Sequence, residues 1–107
     1  MSLKLLWQDT NPPANLNTKT VSVNCSKYSL FMLISHNYET AGTSVFFIYK
    51  GDTFNTYYVT SSGTSNYNTK SRTVRITDTS LIISAGYQGN NSSDNKVLIP
   101  YRLYGVL

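Results

Sequence analysis

One histidine (His36), one cysteine (Cys25) and five carboxylates (Asp9, Glu39, Asp52, Asp78 and Asp94) are the side chains of this 107-residue chain best suited to acid–base, thiol or metal chemistry. A carboxylate pair working as general acid and base needs two acids facing one cleft. These five are spread over separate segments, and Asp52 and Asp78 fall in turn signals, where aspartate commonly bonds its own backbone. His36 could join a Ser–His–Asp triad, but no nucleophile-elbow motif accompanies it. A Cys/His zinc site cannot be assembled from one residue of each kind. The run Asn90 to Asn95 is rich in oxygen ligands of the kind calcium accepts, yet it holds a single carboxylate and lacks EF-hand spacing, so it reads as a solvated loop. Cys25 has no disulfide partner within the chain and reads as a small buried hydrophobe. The expectation is a non-enzymatic protein with no catalytic residue, no metal site and no cofactor.

Residue types suited to binding are plentiful. Nine tyrosines accompany 14 Ser, 13 Thr and 11 Asn. Sugar recognition uses an aromatic face against C–H groups, flanked by amides and hydroxyls that bond the sugar hydroxyls. Tyr38 lies between Asn37 and Glu39, Tyr57 and Tyr58 follow Asn55, Tyr67 sits between Asn66 and Asn68, and Tyr87 precedes Gln88, Asn90 and Asn91. Tyr38, Tyr57, Tyr58, Tyr67 and Tyr87, with Asn66, Asn68 and Asn90, are therefore the candidate ligand-binding residues. Strand alternation sends one of Tyr57 and Tyr58 outward. The alternative is a single-stranded nucleic-acid-binding β-barrel, because Lys70, Arg72 and Arg75 cluster near Tyr67, Tyr101 adjoins Arg102, and the pI is about 9.3. A net charge of +4 is a modest excess, and no RNP signature is present. Outward basic residues on strands also serve simply as edge protection.

The elements that must position these residues are strands. Charged residues make up 13% of the chain, about half the usual share, with only three Ala and one Glu, so good helix formers are scarce. Alternating or apolar segments at Leu3–Trp7, Thr20–Asn24, Tyr28–His36, Thr43–Lys50, Asn55–Thr60, Arg72–Thr77, Ser80–Ala85 and Lys96–Val106 are separated by polar turns. Arg72 to Ala85 reads as a hairpin, Ser61 to Ser71 as a polar loop, and Pro100 marks an edge or a bulge. About eight strands at this spacing predict an all-β antiparallel β-sandwich, of jelly-roll or Ig-like type, forming a single domain over 1–107. Its core should draw on Leu6, Val21, Val23, Phe31, Leu33, Val45, Phe47, Val74, Ile76, Ile82, Leu98 or Ile99, and Leu103.

Phe46 and Phe47 are consecutive, so one lies on each side of the sheet, and Leu30 to Ile34 likewise puts apolar groups on both faces. A sandwich needs only one apolar face per sheet, so the second face predicts a homo-oligomer. No apolar run approaches a membrane span, so no membrane insertion is expected, and Met1 to Thr10 does not read as a signal peptide.

The order of the pieces resembles a known family. Leu6-Trp7 precedes a polar loop, Ser26-Lys27-Tyr28-Ser29-Leu30-Phe31 leads into an apolar strand, and the Thr73 to Ala85 hairpin precedes a Gly/Asn/Ser loop. The closing segment is Ile99-Pro100-Tyr101-Arg102-Leu103-Tyr104-Gly105-Val106. This pattern, over most of the chain, resembles small phage or prophage tail-associated modules of Gram-positive bacteria, of the tail-fibre or receptor-binding type. The resemblance implies a virion protein assembled in the host cytoplasm, a homo-oligomer such as a trimer, contacts with other virion proteins and recognition of a cell-wall saccharide. It supplies no binding motif to carry over.

Overall fold

The computed structural model describes residues 1–38, 42–62, 66–89 and 92–107. Among them lie nine strands and no helix: β1 (Leu3–Gln8), β2 (Lys19–Ser22), β3 (Leu30–Asn37), β4 (Gly42–Tyr49), β5 (Thr53–Ser62), β6 (Asn66–Ile76), β7 (Ser80–Gln88), β8 (Ser92–Ser93) and β9 (Ile99–Val106). They form two antiparallel sheets. Sheet A has the order β1-β9-β3-β4, and sheet B the order β2-β7-β6-β5, with β8 added to β7. Their inner faces pack together as a β-sandwich, the fold class read from the sequence.

Alternation explains the core. In β3, Phe31, Leu33, Ser35 and Asn37 are buried, while Leu30, Met32, Ile34 and His36 face outward and are half-buried. Phe31, Leu33, Ile48 and Leu103 of sheet A meet Val21, Val74, Ile76, Leu81 and Ile83 of sheet B, together with Cys25. Leu6 and Val23 pack against this cluster, and Leu98 and Ile99 are both buried.

Three core expectations are corrected. Val45 and Phe47 point out of sheet A at 51% and 46% exposure, and Phe46 takes the inward place against Phe54. Ile82 is half-buried, because Leu81 rather than Ile82 lies opposite Ile76 and shares its face. In both segments consecutive apolar residues erase the period-2 signal, and cross-strand register sets the phase. The segment expected to be a polar loop, Ser61 to Ser71, largely extends the β5–β6 hairpin, whose register runs from Thr53↔Arg75 to Ser62↔Asn66.

Pro100 lies in an interior strand. It occupies the register shift where Ile34 opposes Arg102 and Ser35 opposes Pro100, which is the bulge alternative rather than the edge. Leu98, just before this strand, is buried with φ 51°, and its N–H donates to Asn37 Oδ1 at 2.6 Å. An unsatisfied donor there would add to the backbone strain. Gly105 sits beneath the Tyr28 ring, and a Cβ at that position would lie 2.5 Å from the ring. Gly105→Ala must displace Tyr28 from its contact with Phe31. We expect a loss of about 1–3 kcal/mol, measured by thermal unfolding.

Candidate ligand-binding surface

The sequence-selected tyrosines separate by strand parity. Along the outer face of sheet B, Tyr57 lies opposite Ser71, Ser71 opposite Tyr87, and Tyr87 opposite Ser93. Directly opposed residues share a face, so Tyr57 and Tyr87 stand on one surface two strands apart, about 10 Å, with Ser71 between them. Both are exposed (58% and 41%). The next row carries Val59 opposite Thr69, and beyond it Tyr67, 73% exposed, lies opposite Ser61. The result is a strip carrying Tyr57, Tyr67 and Tyr87 together with Val59, Thr69 and Ser71.

The other candidates go elsewhere. Tyr58 pairs with Lys70 on the opposite side of the hairpin and is half-buried, so it is not part of the strip. Asn68 is also turned away, its Nδ2 donating to Gln88 Oε1 at 3.4 Å. Tyr38 belongs to the far side of the sandwich. Its ring meets His36 edge-on at 4.2 Å, and its hydroxyl donates to the Pro12 carbonyl at 2.7 Å. Asn66 begins β6, and Asn90 lies outside the described residues.

The basic cluster is dismantled by the same parity. Counting back in twos from the inward Val74 and Ile76 reaches Arg72 and Lys70, and both are buried. Arg72 is fully buried and donates from Nε to Val97 O (3.0 Å), from Nη1 to Asn17 O (3.1 Å) and Ser84 O (2.7 Å), and from Nη2 to Asn95 O (3.3 Å). Burial lowers its pKa to about 10, so it remains a cation at neutral pH. Lys70 Nζ pairs with Asp94 Oδ2 at 2.9 Å and donates to Gln88 Oε1 at 2.6 Å. Only Arg75 of the three is exposed, and its Nε donates to Gly51 O. The nucleic-acid reading thereby loses two of its three cations to the interior. Sequence reasoning grouped Lys70, in the expected Ser61–Ser71 loop, and Arg72 with Arg75 as one basic cluster, although the alternation of Val74 and Ile76 already contained the signal for Arg72.

Three of the four described acids are occupied by local structure. Asp9 Oδ1 accepts the Asn11 N–H at 3.1 Å, Asp78 pairs with Lys50 at 2.8 Å, and Asp94 is held by Lys70. Glu39 lies outside the described residues. Among the described residues no group of three or more His, Cys, Asp or Glu gathers to hold a metal. Asp94, the one carboxylate of the Asn90–Asn95 run, is buried against Lys70 rather than open to a cation. Cys25 is fully buried, and desolvation raises its thiol pKa. Iodoacetamide should therefore label the native protein roughly 100-fold or more slowly than the urea-unfolded chain, a rate readable by mass spectrometry.

No helix among the described residues is long and apolar enough to cross a membrane. Comparisons with protein-family models, with curated protein sequences and with solved structures find no match to this chain.

Proposed function

We propose that this protein is a non-enzymatic saccharide-binding module whose platform is the outer face of sheet B. The observation that carries this reading is the exposed pair Tyr57 and Tyr87 on either side of Ser71. Two phenol rings held about 10 Å apart by the sheet can stack on apolar faces of two sugars of one chain. The hydroxyls of Ser71, Thr69 and Ser93 and the phenols themselves supply donors and acceptors to sugar hydroxyls. The placement of the protein in a phage virion, where it would read a host cell-wall saccharide beside other virion proteins, follows from the sequence resemblance and belongs to the same proposal.

A glycan array and a cell-wall pull-down test the reading. Tyr57→Ala and Tyr87→Ala should each weaken retention about 5- to 10-fold, close to 1 kcal/mol apiece. Tyr58→Phe, on the other side of the hairpin, should leave it unchanged. Silence on every glycan and cell-wall preparation would overturn the saccharide reading. Steeply salt-dependent retention on an oligonucleotide would favour the nucleic-acid alternative instead.

The reading includes self-association through the outer face of sheet A. Leu5 lies opposite Tyr104, Tyr104 opposite Met32, and Met32 opposite Phe47, while Ile34 opposes Val45 and Leu30 opposes Tyr49. Four strands of about eight residues span roughly 19 Å by 26 Å, about 500 Å². A second copy on this face would bury about 1,000 Å² in total, at the lower bound of a biological interface. One face pairing with its own copy closes as a two-fold dimer, whereas a trimer needs two different patches. Light scattering should report a dimer that Phe47→Lys converts to monomer. A wild-type monomer at about 100 µM would overturn this part, since an interface of that size should reach micromolar affinity.

A further inference from the structure

A second site lies on the opposite side of the sandwich from the tyrosine strip. Beyond the Gln8↔Arg102 pair, where β1 ends, the loop that follows it runs beside the end of sheet A and borders an open cleft of about 440 Å³. Gln8, Asp9, His36, Tyr101 and Arg102 line it. Its wall is fastened by the Asp9 N–H donating to Tyr101 O and by the Tyr38 hydroxyl donating to Pro12 O. The volume falls within the range of small-molecule sites.

The lining holds one guanidinium, Arg102, and one carboxylate, Asp9. The Arg102 guanidinium lies 5.3 Å from the Tyr101 ring centroid. Its buried Nε–H meets no acceptor, and no ion pair forms at Arg102 among the described residues. A donor left unpaired in the interior is a cost to the fold. Asp9 does not relieve it. Its Oδ1 accepts the Asn11 N–H, and its Oδ2 faces Lys19 Nζ at 3.8 Å, which offsets its charge locally. Gln8, opposite Arg102, adds a neutral amide, and His36 is held edge-on by both Tyr38 and Tyr101.

We propose that this cleft binds an anionic oxygen group, either a phosphate diester or a sugar carboxylate, with Arg102 as the principal ligand-binding residue and Gln8 as the second donor. A guanidinium presents paired N–H groups that match the oxygens of both anions. The site is distinct from the tyrosine platform and does not depend on it. Arg102 stands opposite Ile34 on the outer face of sheet A, so a second copy covering that whole face would occlude it. The titration is therefore made on the Phe47→Lys variant as well as on the wild-type protein.

Titration of the protein with dimethyl phosphate and, separately, with glucuronate, followed through the Arg102 side-chain N–H and the His36 ring signals by NMR, tests the site. A saturable millimolar shift with one probe and not the other identifies the anion, and a shift with both shows a general oxyanion site. Arg102→Gln should weaken binding at least tenfold while Cys25 stays protected from alkylation. Gln8→Ala, at an exposed edge position, should weaken it about threefold and keeps the test decisive if the first variant fails to fold. The Tyr57→Ala/Tyr87→Ala variant should bind both anions normally, so loss of the platform reading and loss of this one are distinguishable. No saturable shift with either anion up to about 50 mM, or unchanged binding in Arg102→Gln or Gln8→Ala, would overturn the proposal.

Discussion

Arg72→Met is expected to remove a large part of the stability of this protein. The substitution keeps much of the volume of the side chain and deletes every donor, leaving the carbonyls of Asn17, Ser84 and Val97 facing an apolar chain, while Asn95 O keeps the Leu16 N–H at 2.9 Å. Each buried acceptor left unpaired costs about 1–3 kcal/mol, and those that cannot reach water do not recover it. Even with substantial relaxation the sum is at least about 3 kcal/mol, a large part of the whole stability of a small domain, typically about 5–15 kcal/mol. Urea unfolding followed by Trp7 fluorescence should show the midpoint falling far below that of the wild-type protein. Arg72→Lys should recover only part of the loss, because one ammonium cannot reach four carbonyls that a planar guanidinium spans. A midpoint change worth less than about 1 kcal/mol in Arg72→Met would mean the carbonyls find other donors.

The second large effect concerns the ion pair next to it. Lys70 and Asp94 are 6% and 7% exposed at their side chains and lie 2.9 Å apart. Breaking such a pair leaves one uncompensated charge in the interior, at a cost of about 3–5 kcal/mol. Lys70→Met and Asp94→Asn should therefore each destabilise strongly. The double variant should be far less impaired than their sum, since it contains no isolated lysine cation. A double-mutant cycle in urea should give a coupling of about 2 kcal/mol or more. Additive single effects would show that the two side chains act independently. Asp94→Asn keeps an amide oxygen that can accept the Lys96 N–H, taken by Asp94 Oδ1 at 3.3 Å, so its cost reports the loss of the charge.

These two predictions mark where sequence reading stopped. The strands were legible wherever turn residues punctuated an alternating segment, as in the Thr77–Ser80 turn joining β6 to β7. Strand phase was legible where one face was polar, as in Val21 of β2 or Val74 and Ile76 of β6. It was not legible in Phe46-Phe47 or Leu81-Ile82-Ile83, where both faces are apolar and only the cross-strand partner decides. Lys70 and Arg72 were misplaced for a different reason. Their alternation is regular, but charge argues outward, and the groups that reverse that argument come from residues 17, 84, 88, 94, 95 and 97. The tyrosine set shows the same limit. Adjacency to Asn in the chain brought Tyr58, Asn68 and Tyr38 into one list with Tyr57, Tyr67 and Tyr87, yet strand parity and sheet membership separate them. The cleft beside Arg102 had no local signal, because its walls are assembled from β1, β3, β9 and the loop after β1.

The two sheets pack inner face to inner face, so the apolar surface of sheet A and the tyrosine strip of sheet B look in opposite directions. Covering the first with another copy leaves the strips on opposite outer sides of the particle, facing away from each other. Two such strips cannot lie flat on one rigid surface together, and the gain in avidity from tethering is lost when geometry forbids simultaneous engagement. The same arrangement suits them to two separate glycan strands. A back-to-back pair is by construction a cross-linker, able to bridge polymers or particles that a single copy would only coat.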